Sequence, residues 1–267
     1  MTHQAIAADG VRVAARHDPP RSGADTGLAV VLGHGFTGSR LRPEVRAVAR
    51  VLSESAGVLS LDFRGHGDSG GCTTLGRDEV LDVEAVVGLA RSLGYERVAT
   101  LGFSMGAGIV VRHAAIFGGL RAVVAVSGPS RWNYRGTRPM RVVHALVDTA
   151  AGRLVLERAR GTRVCPGDWY PPPEPPDAVA GRIAPTPLLV VHGDADHYFP
   201  PEHARWLARA AGPTATLWEL PGFGHAESAV TPDLTRRIAG WVTGAAAPGR
   251  DPAPGPATTE GSARMRA

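Results

Sequence analysis

Two serines in this chain sit in the pattern G-x-S-x-G: Ser104 in Gly102-Phe103-Ser104-Met105-Gly106, and Ser69 in Gly67-Asp68-Ser69-Gly70-Gly71. A serine hydroxyl attacks an acyl group only where a base can take its proton and donors can hold the oxyanion that forms. Glycines two places to either side suit that task, because they let a strand and a helix approach closely around the serine. The pattern alone is weak, as its double occurrence shows. The flanks separate the two. Ser104 follows Val98-Ala99-Thr100-Leu101-Gly102, which reads as a strand, and precedes GAGIVVRHAAIF (residues 106–117), which reads as a helix of small residues. Ser69 lies in a glycine-rich loop with no helical pattern directly after it. Ser104 is therefore the expected nucleophile.

Ten histidines are available as the base. His225 lies in Pro221-Gly222-Phe223-Gly224-His225-Ala226-Glu227, between an apolar run and the last helical pattern. Such a loop should reach the same sheet edge as Ser104. His192, His197 and His203 flank an acidic loop, where packing or surface roles are the default, and His113 lies in the helix after Ser104. The base needs an orienting carboxylate. The loop Gly193-Asp194-Ala195-Asp196-His197-Tyr198-Phe199-Pro200 offers Asp194 and Asp196.

Elements must bring these loops together. Leu28–Leu32, Val58–Asp62, Arg97–Gly102, Arg121–Val126, Pro187–His192 and Thr214–Leu220 are short apolar runs. Such runs suit strands buried on both faces. Helical patterns lie among them. They are Pro43–Ser55, Arg77–Leu93 (apolar at Val80, Val83, Val87 and Ala90), Met105–Phe117, Pro201–Ala211, and a last helix capped by Thr231 that runs to about Val242. This alternation predicts an α/β fold with a largely parallel sheet covered on both sides. Ala5–His17 reads as one or two antiparallel edge strands turning at Asp9-Gly10.

Two segments break the rhythm. Roughly 58 residues separate Ser127 from Pro187, too many for a structureless connection, so an inserted element is expected. Val143, Leu146, Val147 and Ala150 make one helical apolar face there, and Tyr170–Pro176 should be extended polyproline II. Residues 245–267, rich in Ala, Pro, Gly and Thr, are expected to be a disordered tail after a domain spanning 1–244.

Composition excludes several classes. With 267 residues, 43% hydrophobic and 20% charged, the chain suits one large globular domain or two small ones. All 29 basic residues are arginine, and no basic run of five occurs, so a nucleic-acid partner is not expected. No apolar run approaches the ~20 residues of a membrane span. The opening MTHQAIAADG lacks the apolar segment of a secretory signal. Cys72 and Cys165 are too few for a disulfide framework, which points to a reducing cytosol and a cytoplasmic location, with their pairing left open.

Four motifs in sequence make the chain resemble the α/β-hydrolase superfamily over roughly residues 5–244, nearest its serine esterase and lysophospholipase-like branch. They are His34-Gly35-Phe36, Asp62-Phe63-Arg64-Gly65-His66-Gly67-Asp68-Ser69, the turn at Ser104, and an acid loop followed by a histidine loop. The resemblance implies a mostly parallel sheet of about eight (or seven) strands with a cap inserted at about 128–184. It accounts for GDSGG through the second motif, without a trypsin-like protease. Its order of nucleophile, acid and base, with the pattern G-x-x-D-x-x-x-P, selects Asp196 over Asp194 beside Ser104 and His225. The oxyanion would be held by the N–H of Met105, which follows the nucleophile, and by that of Phe36.

A cap closes the site and excludes water. Trp132, Tyr134, Trp169 and Tyr170 would line an apolar pocket under it or dock it on the core. Between Arg131 and Arg163 eight arginines (131, 135, 138, 141, 153, 158, 160 and 163) face only Asp148 and Glu157. This excess would attract an acidic substrate, or it reflects the arginine bias of the whole chain. The implied activity is hydrolysis of a small-molecule acyl ester or thioester through an acyl-enzyme, with no metal and no organic cofactor. The alternatives are an aminopeptidase or amidase of the same fold, and a non-catalytic ligand-binding protein built on it.

Overall fold

One sheet of eight strands organises the chain, seen in a computed structural model that describes residues 1–21, 23–167 and 172–247. The strands are β1 (Thr2–Ile6), β2 (Arg12–Asp18), β3 (Asp25–Gly33), β4 (Ala56–Leu61), β5 (Arg97–Phe103), β6 (Ala122–Val126), β7 (Leu188–Gly193) and β8 (Ala215–Leu220). Their order is β1-β2-β4-β3-β5-β6-β7-β8. β2 runs antiparallel to β1 and β4, and the other pairs are parallel. The six apolar runs are β3 to β8, and the opening segment supplies both antiparallel strands. Its turn uses Gly10 at φ +84°, a conformation glycine takes without strain.

The helices are α1 (Pro43–Leu52), α2 (Glu79–Ser92), α3 (Met105–Phe117), α4 (Arg138–Asp148), α5 (Ala150–Arg160), α6 (Pro176–Val179), α7 (Glu202–Ala211) and α8 (Pro232–Ala245). The apolar strands feed two cores because successive side chains alternate across the sheet. Ala29 and Val31 of β3 join Val83, Val87, Ile109 and Leu207 from α2, α3 and α7. Leu28, Val30 and Leu32 join Val45, Val48, Ile238 and Val242 from α1 and α8. Helices therefore cover both faces, as the alternation predicts.

Between β6 and β7 the chain leaves the sheet and forms α4 and α5, which pack on each other. The single helical face read through Ala150 is split in two. Thr149 ends α4 in an extended conformation (ψ 144°), and its hydroxyl accepts from the Gly152 N–H at 3.1 Å, capping α5. Ala150 thus opens a second helix. Of the expected polyproline stretch, Tyr170 and Pro171 lie outside the described residues. Pro175 has the extended angles (φ −68°, ψ 155°), while Pro176 begins α6.

The segment after α5 is laced to the loop before α2. Cys72 and Cys165 form a disulfide with their Cα atoms 5.0 Å apart. Thr73 and Val164 pair as a parallel bridge, and the Arg163 guanidinium donates to the carbonyls of Gly71 and Ser69 at 2.9 and 2.6 Å. The two cysteines are paired, so their number no longer supports a reducing compartment; disulfides persist in oxidising ones. At the C-terminus α8 continues to Ala245, and residues 248–267 lie outside the described part.

Candidate active site

Ser104 stands between β5 and α3 with φ +50° and ψ −116°. A non-glycine residue there costs on the order of 1–3 kcal/mol and persists only where its surroundings hold it. Close backbone approach does so. A Cβ on Gly102 would overlap the Gly106 carbonyl oxygen, and a Cβ on Gly106 would lie 2.6 Å from the His34 carbonyl oxygen. The Ser104 N–H donates to Val126 O at 2.9 Å. The hydroxyl stands half-buried at the C-terminal edge of the sheet, above the first turn of α3.

His225 Nε2 lies 3.0 Å from Ser104 Oγ, and His225 Nδ1 lies 2.8 Å from Asp196 Oδ2. An imidazole that donates from Nδ1 to a carboxylate leaves Nε2 free to accept from a hydroxyl. The other carboxylate oxygen of Asp196 accepts from the amides of Tyr198 (2.8 Å) and Phe199 (3.1 Å). Burial pushes the Asp196 carboxyl up, but the bonds from His225 and the two amides outweigh it and hold it below the ordinary range. Asp194 is exposed and accepts from the Gly222 amide at 2.6 Å, tying the acid loop to the histidine loop without approaching the ring.

The other sequence candidates have local partners. His113 bonds Glu84 at 2.8 Å, His203 Nδ1 accepts from the Ser130 amide at 3.1 Å, and His192 Nε2 donates to Phe199 O at 2.9 Å. His197 is exposed at the cavity rim. Ser69 is buried. Its hydroxyl donates to Asp62 O at 2.6 Å and accepts from the Ala14 amide at 2.8 Å, so it fastens β2 to the loop after β4. Asp62 in turn pairs with the buried Arg40.

Phe36 and Met105 both line the cavity in front of Ser104. Among the described residues neither backbone N–H has a hydrogen-bond partner. Two neutral histidines brace the loop that carries Phe36. His34 donates from Nδ1 to Gly35 O (2.7 Å) and accepts at Nε2 from the Phe63 amide (3.2 Å). His66 accepts at Nε2 from the Thr37 amide (3.3 Å). Burial pushes His34 down to about 4 and His66 down to about 3.

Sequence reasoning missed two supporting residues. Ser127, buried at the end of β6, accepts from the Ala226 amide at 3.0 Å, and both residues have positive φ (52° and 53°). This bond holds the turn next to His225. Nothing local marks a lone serine after an apolar strand. The Tyr198 ring packs against the His225 ring, with centroids 4.4 Å apart and the planes tilted by 37°. Tyr198 belongs to the acid loop, but its contact with the His225 ring depends on the fold.

The cavity holds about 760 Å³. Ser104, His225 and Phe36 form its floor, and Met140, Val143, Leu146 and Val147 of α4 with Leu156 of α5 form an apolar wall. Trp132 lines it and also packs against α3, where a Cβ on Gly108 would lie 2.7 Å from its ring. Tyr134 does not line it. Its ring sits edge-on to His203 at 4.5 Å, so it docks this segment on the core. Trp169 and Tyr170 lie outside the described residues. Of the eight arginines only Arg160 reaches the cavity wall. Arg131 and Arg135 pair with Asp177 and Asp148, and Arg141, Arg153 and Arg163 bond carbonyls. Among the described residues no cluster of three His, Cys, Asp or Glu could hold a metal ion, and no helix is long and apolar enough to cross a membrane.

Comparison with known proteins places this geometry in context. The profile of the alpha/beta hydrolase family matches residues 30–238. The chain is 30% identical over 260 residues to a monoacylglycerol lipase of Mycolicibacterium smegmatis, covering 84% of this chain and 89% of that one. Among solved structures, the esterase Pf2001 of Pyrococcus furiosus superposes with a TM-score of 0.72 at 25% identity, over 91% of each chain. Est1E of Butyrivibrio proteoclasticus shares the fold, with a TM-score of 0.65 at 20% identity over 91% of this chain and 98% of its own.

Proposed function

The chain belongs to the alpha/beta hydrolase family, and we propose that it is a serine hydrolase that cleaves carboxylic esters through an acyl-enzyme. The observation that carries this reading is the hydrogen-bonded series Ser104–His225–Asp196, with contacts of 3.0 and 2.8 Å. A named esterase and a monoacylglycerol lipase among its relatives support the same reading.

The reaction follows from these groups. Ser104 Oγ bonds to the ester carbonyl carbon while His225 Nε2 takes its proton. Asp196, ionised beside Nδ1, stabilises the imidazolium. The carbonyl electron pair moves onto oxygen, where the Phe36 and Met105 N–H groups receive it. As the pair returns, the bond to the alkoxy oxygen breaks and His225 protonates the departing alcohol. Water enters, gives its proton to His225 and attacks the acyl carbon. Collapse then releases the carboxylic acid and restores the Ser104 hydroxyl.

The apolar wall from α4 and α5 acts as the cap and holds the acyl chain. Its volume lies within the range of about 300–1,000 Å³ usual for small-molecule sites. An ester with a substantial hydrocarbon portion, such as a monoacylglycerol, fits this lining best; thioesters offer the same carbonyl. The test is a series of p-nitrophenyl esters from acetate to palmitate, run beside acyl-thioesters, aminoacyl amides and a monoacylglycerol, with fluorophosphonate labelling of the protein. Ester turnover with labelling that is lost in Ser104→Ala supports the proposal. An unlabelled, inactive protein favours a binding role, and amide turnover alone favours an amidase.

A further inference from the structure

We infer that Glu227 is a positioning residue for the oxyanion loop: its carboxylate holds the Gly35 amide and thereby aims the next N–H, that of Phe36, at the reacting carbonyl. This rests on the esterase reading above. Glu227 follows His225 by two residues and lies on the turn that Ser127 pins. Its Oε1 accepts from the Gly35 N–H at 3.2 Å, joining loops 192 residues apart in sequence.

The surroundings support the assignment. A Cβ added to Gly35 would meet Ser104 Cβ at 3.2 Å and the two Glu227 carboxylate oxygens at 3.3 and 3.4 Å. Gly35 is thus enclosed between the nucleophile and this carboxylate, and no side chain fits there without displacement. Other polar groups of the loop have partners within it or on neighbouring loops, among them Thr37 O, which accepts from the Arg42 guanidinium at 3.4 Å. Gly35 O accepts from the Gly38 amide (3.0 Å) and from His34 (2.7 Å), and the Thr37 amide donates to His66. The Gly35 N–H is the tie from this loop to the histidine turn, and a carboxylate acceptor makes such a bond stronger than a neutral one. Among the described residues Glu227 forms no ion pair, so it does not stand there to neutralise an arginine or a histidine. A carboxylate so near a developing oxyanion opposes catalysis by its charge. Its bond to the backbone that presents a donor offsets this. The same carboxylate also links the base to the oxyanion loop, since His225 and Glu227 share one turn.

The variants Glu227→Gln, Glu227→Ala and Glu227→Asp distinguish the roles. Gln keeps an acceptor oxygen at the same reach; Asp keeps the charge but falls short of Gly35. Each is assayed for kcat and KM on the best p-nitrophenyl ester, for affinity to an alkyl trifluoromethyl ketone, which adds to the serine and leaves an oxyanion, and for folding by circular dichroism. Glu227→Ala should lower kcat about 10–100-fold with KM within about 3-fold of wild type, and weaken the ketone by a similar factor. Glu227→Gln should stay within about 3-fold of wild type, and Glu227→Asp should behave as Ala does. If the Ala variant does not fold, the Asp and Gln pair decides. An unimpaired Ala or Asp variant, a Gln variant as impaired as Ala, or a loss confined to KM overturns the inference and leaves the esterase reading intact. A wild-type protein inert to esters and to fluorophosphonate overturns both.

Discussion

Gly102 and Gly106 touch across the turn that carries Ser104, so closely that a methyl group on the first would overlap the carbonyl oxygen of the second. Gly102→Ala should therefore destabilise the protein by about 1–3 kcal/mol, the usual cost of overpacking, and should depress ester hydrolysis by shifting the serine. Urea denaturation and p-nitrophenyl butyrate turnover check both. Unchanged stability would mean that the turn relaxes freely and does not hold Ser104 in its positive-φ conformation.

Ser104→Ala should reduce kcat by ~10⁴–10⁶, leaving the contribution of the oxyanion donors and binding. A variant that keeps more than about a tenth of the wild-type rate would remove Ser104 from the mechanism.

The two aspartates of the acid loop should separate sharply. Asp196→Asn breaks the partner of His225 Nδ1 and should cost about 10³–10⁴ in kcat. Asp194→Asn alters only a bond to the Gly222 amide and should change kcat less than about 5-fold. Equal losses would reassign the acid.

Narrowing the cavity should shift the acyl preference. Leu146 lies on the α4 wall, and Leu146→Trp fills the space in front of it. The optimum in the p-nitrophenyl series should move to shorter chains, with acetate hydrolysis little affected. An unmoved optimum would place the acyl chain elsewhere.

Stability should fall in mildly acidic solution. Burial pushes His34 down to about 4, His66 down to about 3 and His203 down to about 4 in the folded protein, from an ordinary 6.5. Below about 6.5 the unfolded chain gains protons that the folded one refuses, so this stabilisation is complete above 6.5 and is lost as pH drops toward 4. Urea midpoints between about pH 7.5 and 4.5 measure it, and a flat profile would show that these rings protonate without unfolding.

Much of this architecture is legible along the chain, for a physical reason. β4 to β7 are buried on both faces, so nearly every residue in them must be apolar, and the pattern shows without tertiary knowledge. The loops that carry Ser104, Asp196 and His225 are legible because each follows an apolar strand at the same sheet edge, whereas the choice of Asp196 over its neighbour Asp194 comes from the resemblance and not from position. What stays hidden depends on contacts between distant segments. Thr149 divides one apolar stripe into two helices by capping, which periodicity cannot register. Tyr134 has the composition of a pocket residue but docks on His203. Ser127 and Glu227 act through single bonds to Ala226 and Gly35, and residue type announces neither. Cys72 and Cys165 meet only because the segment after α5 returns to the loop before α2.

That meeting gives the polypeptide a covalent ring that encloses residue 104 but neither 196 nor 225. A protease that cuts once between the two sulfurs, for instance where Thr149 joins two surface helices, opens the ring without parting the pieces. The nicked molecule still migrates as one species until a reductant is added, and only then does the serine-bearing portion run apart from the half that lacks it.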